Sequence, residues 1–275
     1  MRLCRSFLLL ALCLGAQVRY SDILESPSQN WLTYHGDYRG LRYSSLTRIN
    51  RQNVANLVPK WTYHLEGAGR LEASPIVYNG VMYVTASNEV DALDARTGRK
   101  IWVYRDEAAT QQNANRGIAI LGDSVFFVTS DAYLVSLHRS TGAILWHKKF
   151  ADATKGYFAT LAPLALKDRI VVGISGGESG IRGFIAAFLP STGEELWRFY
   201  TVPAKDEAGS ETWSEFDTQW GGGATWMTGT YDPALNLLYW PTGNPWPDYY
   251  GGVRRGANLY TDSIVAVDAT SGLSR

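Results

Sequence analysis

Residues 184–198 read FIAAFLPSTGEELWR, an apolar run, a Ser-Thr-Gly turn, and a tryptophan four residues after the glycine. Working outward, the unit recurs: DARTGRKIW at 94–102, RSTGAILW at 139–146, and DATSG at 268–272. The turn glycines are Gly98, Gly142, Gly193 and Gly272, spaced 44, 51 and 79 residues apart. The tryptophans that follow are Trp102, Trp146 and Trp197. Ahead of each turn stand short β-rich runs: PIVYNGVMYVTAS at 75–87, GIAILGDSVFFVTS at 117–130, LAPLALKDRIVVGIS at 161–175 and ATWMTGTYDPALNLLYWPTGN at 224–244. Asn79-Gly80 between two such runs is a strong hairpin signal.

Each unit is therefore three strands, a glycine turn, and a fourth strand starting at a tryptophan. A repeat of about 40–50 residues with four strands is the signature of a β-propeller blade. Glycine supplies the positive φ of the turn. The tryptophan is suited to packing between neighbouring blades, with its N–H free to find a carbonyl. The competing reading is a β-sandwich with coincidental turns. The expected class is all-β, a propeller of four-stranded blades. The wide spacings of 51 and 79 place long inserted loops in the third and fourth units, and long loops in compact domains tend to be functional.

Composition agrees. The 275 residues include 27 Gly, 10 Trp and 16 Tyr, which suits short strands joined by tight turns. A formal net charge of +0 gives no electrostatic reason to expect nucleic acid or an anionic membrane as partner. Residues 1–16, MRLCRSFLLLALCLGA, have charged Arg2 and Arg5, an apolar run at 7–14 and a small Ala16, the pattern of a secretory signal peptide. Cys4 and Cys13 both lie there, so the mature chain is expected to carry no disulfide. No later apolar run is long enough for a membrane span. The domain reading is a signal peptide at 1–16, an irregular segment at 17–60 with at most a short helix near 51–57 and a first strand near Trp61, and a partial propeller over 61–275.

The most unusual stretch is SGGESG at 175–180, a carboxylate inside a glycine-rich bend. Alone, Glu178 reads as a solvated loop residue as readily as a ligand, and Asn244 in TGNP as a turn residue. The histidines His35, His64, His138 and His147 show no metal-ligand spacing.

Several segments taken together resemble a known family. The repeat A-x-D-A-x-T-G-x-x-x-W, with WLTYHGDYRGLRYSSLTRINRQNVANL at 31–57, GGESGIRGFIAAF at 176–188, GGGATW at 221–226 and PTGNPWPDYYGG at 241–252, is similar to the pyrroloquinoline quinone (PQQ)-dependent alcohol dehydrogenases. The resemblance covers nearly all of residues 30–275, the N-terminal half of such proteins. It implies about four blades of an eight-bladed propeller, PQQ beside a Ca²⁺ ion (a lanthanide being the alternative), an alcohol, sugar or polyol as substrate, a cytochrome c as electron acceptor, and a periplasmic location. Residue by residue, it implies PQQ contacts from Glu72, Arg116, Thr160, Ser175, Gly176 and Gly177, a ring platform at Trp226, and metal ligation by Glu178 and Asn244. These residue types suit the task. A hard cation takes oxygen donors, an arginine pairs bidentately with carboxylates, and an indole face holds a planar ring.

Three departures from the family's pattern stand out. Thr110 and Gln111 occupy the positions where relatives often have adjacent cysteines. Ala224 stands where a threonine contact is common, so either one PQQ contact is lost or Thr225 substitutes. The catalytic aspartate is expected roughly thirty residues beyond Arg275, so no residue of the chain is assigned as catalytic, and the chain is expected to be a fragment of a longer enzyme. Two further readings stay open: a non-catalytic PQQ-repeat propeller acting as a scaffold, and an inactive truncated remnant.

Overall fold

The computed structural model describes residues 17–275 except 26, 67–68, 110–112 and 214–217. The expected signal peptide and the Thr110-Gln111 pair lie outside the described residues. Four antiparallel sheets follow one another along the chain, their strands adjacent in sequence order. The first holds β1 (Ile76–Tyr78), β2 (Val81–Ala86), β3 (Glu89–Asp94) and β4 (Lys100–Arg105). The second holds β5 (Ala119–Leu121), β6 (Ser124–Val128), β7 (Tyr133–His138) and β8 (Ile144–Lys149). The third holds β9 (Leu164–Ala165), β10 (Ile170–Val172), β11 (Phe184–Phe188) and β12 (Glu195–Tyr200). The fourth holds β13 (Thr230–Asp232), β14 (Leu237–Pro241) and β15 (Ile264–Asp268), with Ser274 bridging Val267 where the other sheets place their fourth strand. These are successive blades of a β-propeller. Among the described residues, no helix is long and apolar enough to cross a membrane.

The turns behave as their composition requires. Gly98, Gly142, Gly193 and Gly272 have φ of 69°, 72°, 70° and 74°. Each also accepts the flat face of an indole: a methyl group there would stand 2.6–2.8 Å from Trp61, Trp102, Trp146 and Trp197 respectively. So each turn needs glycine twice, for its backbone angle and for the close approach. The four indole N–H groups donate to the carbonyls of Ala95, Arg139, Pro190 and Ala269, each three residues before the turn glycine. Each tryptophan thus docks on the turn of the following blade. It is the third residue of its strand rather than the first, because β4, β8 and β12 begin at Lys100, Ile144 and Glu195. The register slips beside it, at Ala92/Leu93, Ser136/Leu137 and Ala187/Phe188. Such bulges re-aim side chains.

Trp61 is the exception to the expected layout. No strand forms near it: the first is β1 at Ile76, because the stretch around Trp61 has no strand pairing among the described residues. It nevertheless fills the docking place on the first blade. Two residues on, the Tyr63 hydroxyl donates to Asp91, a fully buried carboxylate on β3.

Segment 17–60 is sparse in regular structure but firmly attached. It contains α1 (Tyr20–Leu24) and, where a short helix was expected, one 3₁₀ turn at Val54–Asn56. Val18 bridges Gly122 beside β5, and Trp31 bridges Val77 in β1. The Tyr38 hydroxyl donates to the Ala165 carbonyl of β9 at 2.5 Å, while its ring meets Tyr231 of β13 edge-on at 5.2 Å. One segment therefore laces along the first strands of all four sheets.

Candidate functional site

The pocket of interest forms where the chain enters each blade. Glu72 precedes β1 by four residues, Arg116 precedes β5 by three, and Thr160 and Trp226 precede β9 and β13 by four each. These four positions are equivalent in the repeat. The entering segments are tied to one another: Ser74 N–H donates to the Arg116 carbonyl (3.1 Å), Arg116 N–H to the Thr160 carbonyl (3.0 Å), and the Thr228 hydroxyl to the Ala162 carbonyl (2.7 Å).

A second set comes from the loops joining the second and third strands. In the first blade this connection is Ser87-Asn88. In the third it expands to 173–183, holding Ser175, Gly176, Gly177 and Glu178, and in the fourth to 242–263, holding Asn244. Both expanded loops converge on 221–224. Gly183 N–H donates to the Gly222 carbonyl and Gly222 N–H to Ile181, while Gly223 N–H donates to Asn244 and Gly243 N–H to Ala224. The approach is close enough that a methyl group at Gly183 would lie 2.1 Å from the Gly223 carbonyl.

Together they enclose a cavity of about 280 Å³ lined by Glu72, Arg116, Thr160, Ser175, Gly176, Glu178 and Trp226, seven of the nine residues the sequence singles out. Arg70, Asn113, Ala114 and Phe158 complete the lining, and the sequence reading missed them. Arg70 lies two residues before Glu72 and Phe158 two before Thr160, so the entering-segment rule could have found both. The remaining two stand just outside. Gly177 is buried behind the bend, where a methyl group would sit 3.2 Å from Ala224 Cβ. Asn244 is exposed on the neighbouring loop.

Arg116 is the hub. Its guanidinium donates to Glu72 Oε2 (2.5 Å) and to the Thr160 carbonyl (3.3 Å), and its Cζ lies 4.8 Å from the ring centroid of Trp226. Asp106 pairs with His147 instead (3.1 Å). Trp226 is 42% exposed, unlike the docking tryptophans, and lines the cavity with the Arg116 guanidinium over its ring. The hydroxyls of Thr160 and Ser175 are hydrogen-bonded at 2.9 Å. Gly176 has a φ of 110°, and a methyl group there would overlap the Gly156 carbonyl at 2.2 Å. Of the two alternatives at Ala224, Thr225 does not replace the threonine contact: its hydroxyl is buried, donating to the Phe184 carbonyl (2.5 Å) and accepting from Ile174 N–H (2.8 Å).

This donor set is suited to a flat anionic ligand: a guanidinium, two hydroxyls, a glycine bend that brings backbone close, and an aromatic face. For a cation, Glu178 offers a carboxylate. Asn244 spends its amide hydrogens on Asp248 Oδ1 (2.9 Å) and the Pro245 carbonyl (3.2 Å), which leaves Oδ1 as its acceptor. Among the described residues no three His, Cys, Asp or Glu side chains form a metal cluster, so a cation here would need further oxygens from a bound ligand or water.

Comparison with known proteins gives a consistent picture. The family model "PQQ: Glucose/ethanol/alcohol dehydrogenase, beta-propeller domain" matches residues 31–275. The quinoprotein alcohol dehydrogenase PedH of Pseudomonas putida is 38% identical over 97% of this chain and 49% of its own length. Among solved structures, the quinohemoprotein alcohol dehydrogenase ADHIIG of Pseudomonas putida HK5 superposes with a TM-score of 0.84 at 36% identity, over 90% of this chain and 39% of that one. A europium-containing methanol dehydrogenase superposes with a TM-score of 0.84 at 32% identity, over 93% of this chain and 49% of that one. The chain spans about half or less of the length of the curated relatives it matches.

Proposed function

The chain belongs to the family of PQQ-dependent glucose, ethanol and alcohol dehydrogenase β-propellers, and we propose on that premise that it forms the quinone- and metal-binding part of a dehydrogenase for an alcohol, sugar or polyol. The proposed setting is the periplasm, with a cytochrome c as electron acceptor. One observation carries the reading: residues from all four blades and one expanded loop, unrelated in local sequence, line a single cavity with the donors a planar polycarboxylate needs.

In this reading Arg116 pairs with the quinone's oxygens, and Glu72 holds the guanidinium in place from behind. Trp226 is the platform for the ring, the bonded Thr160–Ser175 hydroxyl pair has one hydrogen left to donate from the wall, and Gly176, backed by the buried Gly177, brings backbone up to the ligand. Glu178 and Asn244 Oδ1 hold the cation, Ca²⁺ or a lanthanide. When bound, the quinone supplies a two-electron acceptor and the cation a Lewis acid that polarises it. We assign no residue of this chain as the general base: Glu72 is held by Arg116 and Glu178 is given to the cation.

The test is reconstitution of the purified protein with PQQ and Ca²⁺, followed by quinone absorbance. Wild type is expected to take up the quinone, with Ca²⁺ strengthening binding, and Glu178→Ala to lose the Ca²⁺ dependence. Absence of uptake overturns the quinone site. Uptake and Ca²⁺ dependence indifferent to Glu178→Ala overturn the metal assignment.

A further inference from the structure

Asn244 is a neutral ligand whose usefulness depends on which way its amide points. Turned one way it offers Oδ1 to a cation; turned the other it offers hydrogens, which repel one. We propose that Asp248 is a positioning residue that sets this choice. The inference rests on the assignment of Glu178 and Asn244 as metal ligands.

The geometry is local and specific. Asp248 Oδ1 accepts from Asn244 Nδ2 at 2.9 Å, four residues along the same loop, and the Pro245 carbonyl accepts from Nδ2 at 3.2 Å. A carboxylate has only acceptors, so it can face only the NH₂ side of the amide. Gly223 N–H holds the Asn244 carbonyl at 3.0 Å, which fixes the backbone from the opposite side. The loop carrying Asp248 is itself fastened: Arg254 donates to the Pro247 carbonyl (3.2 Å) and to Asn258 (3.1 Å). A chain of contacts thus runs from Arg254 through the Asp248 loop to the Asn244 oxygen. Partners of this kind orient metal ligands, and their loss weakens metal binding by about 10–100-fold.

The experiment titrates terbium into the PQQ-loaded protein and reads sensitised luminescence, with Ca²⁺ competition as a second readout. Trp246 packs over Gly180, beside Glu178, where a methyl group would stand 3.1 Å from its ring, so an indole antenna is at hand. Asp248→Ala is expected to raise the terbium Kd about 10–100-fold. Asp248→Asn keeps an acceptor at the same place and is expected to stay within about threefold of wild type. Quinone affinity measured in EDTA is expected to be unchanged in both. If Asp248→Ala does not fold, Asp248→Ser, too short to span to Nδ2, takes its place with the same expectation. A terbium Kd unchanged by Asp248→Ala overturns the proposal, and an equal loss in Asp248→Asn overturns the orienting role. Glu178→Ala separates the levels. If it abolishes terbium binding while Asp248→Ala does not, only the role of Asp248 fails; if it too has no effect, the metal assignment fails with it.

Discussion

The docking ladder and the cavity use the same residue types to opposite ends. In the ladder, Trp102 is buried and its N–H is satisfied by a carbonyl three residues before the partner glycine. In the cavity, Trp226 leaves 42% of its surface exposed, and its nearest charged companion is a guanidinium over the ring. Ladder glycines sit at φ near 70° against an indole. Gly176, at a φ of 110°, sits against a backbone carbonyl. The ladder repeats one local contact four times. The cavity takes one side chain from the same place in each blade, makes each different, and adds the 173–183 loop at a connection that the first blade keeps short. Repetition serves stability here, and divergence at equivalent positions serves binding.

Exchanging the roles of two tryptophans is the sharpest way to break that contrast. Trp102→Ala is expected to cost about 3–5 kcal/mol in urea unfolding, since it empties a buried interface. A cost under about 1 kcal/mol would mean that the ladder is not what joins the blades. Burial of the Asp91 carboxyl pushes it up to about 6, against 3.8 for a free aspartate. The folded protein therefore holds this proton more tightly than the unfolded chain. The stability this contributes is complete below about pH 4 and falls as pH rises through about 6. Asp91→Asn is expected to flatten that part of the pH profile; an unchanged slope would place the dependence elsewhere. Trp226→Ala is expected to leave unfolding within about 0.5 kcal/mol of wild type while weakening PQQ binding by about tenfold or more, the worth of an aromatic stacking contact. A stability loss equal to that of Trp102→Ala would make it a core residue after all. Smallest is Ser175→Ala, which removes the 2.9 Å bond to Thr160 and should cost about 1 kcal/mol in either unfolding or quinone affinity.

How much of this was legible in the sequence follows the same divide. The spacing of Gly98, Gly142 and Gly193 and the tryptophan four residues later are local signals, and they gave the blade order and the turns. Trp61 escaped the pattern, because no turn glycine precedes it and no strand forms around it; only its partner on the next blade reveals its role. Seven of nine site residues line the cavity, yet it was the resemblance, not any periodicity, that singled them out. The convergence of the 173–183 and 242–263 loops on 221–224 depends on backbone bonds between glycines, which carry no side-chain pattern to read. Thr225 stayed one of two alternatives because a hydroxyl in sequence says nothing about which way it faces; its bonds to Phe184 and Ile174 leave the other, a lost contact at Ala224. Asp248 has no sequence signal of its own; only its bond to Asn244 marks it.

The direction of the tryptophan contacts has a consequence for how the molecule comes apart. Each blade is coupled to the next by an indole–carbonyl contact and by bonds between the entering segments, and chiefly to its neighbours. Stability in such an array is a sum of unit terms and nearest-neighbour couplings, as in a one-dimensional lattice. Weakening the Trp146–Pro190 coupling should therefore divide unfolding into two cooperative blocks, the first two blades and the last two, before it unfolds either. The segment at 17–60, laced across the first strands of all four sheets, is the longer-range restraint that opposes the split.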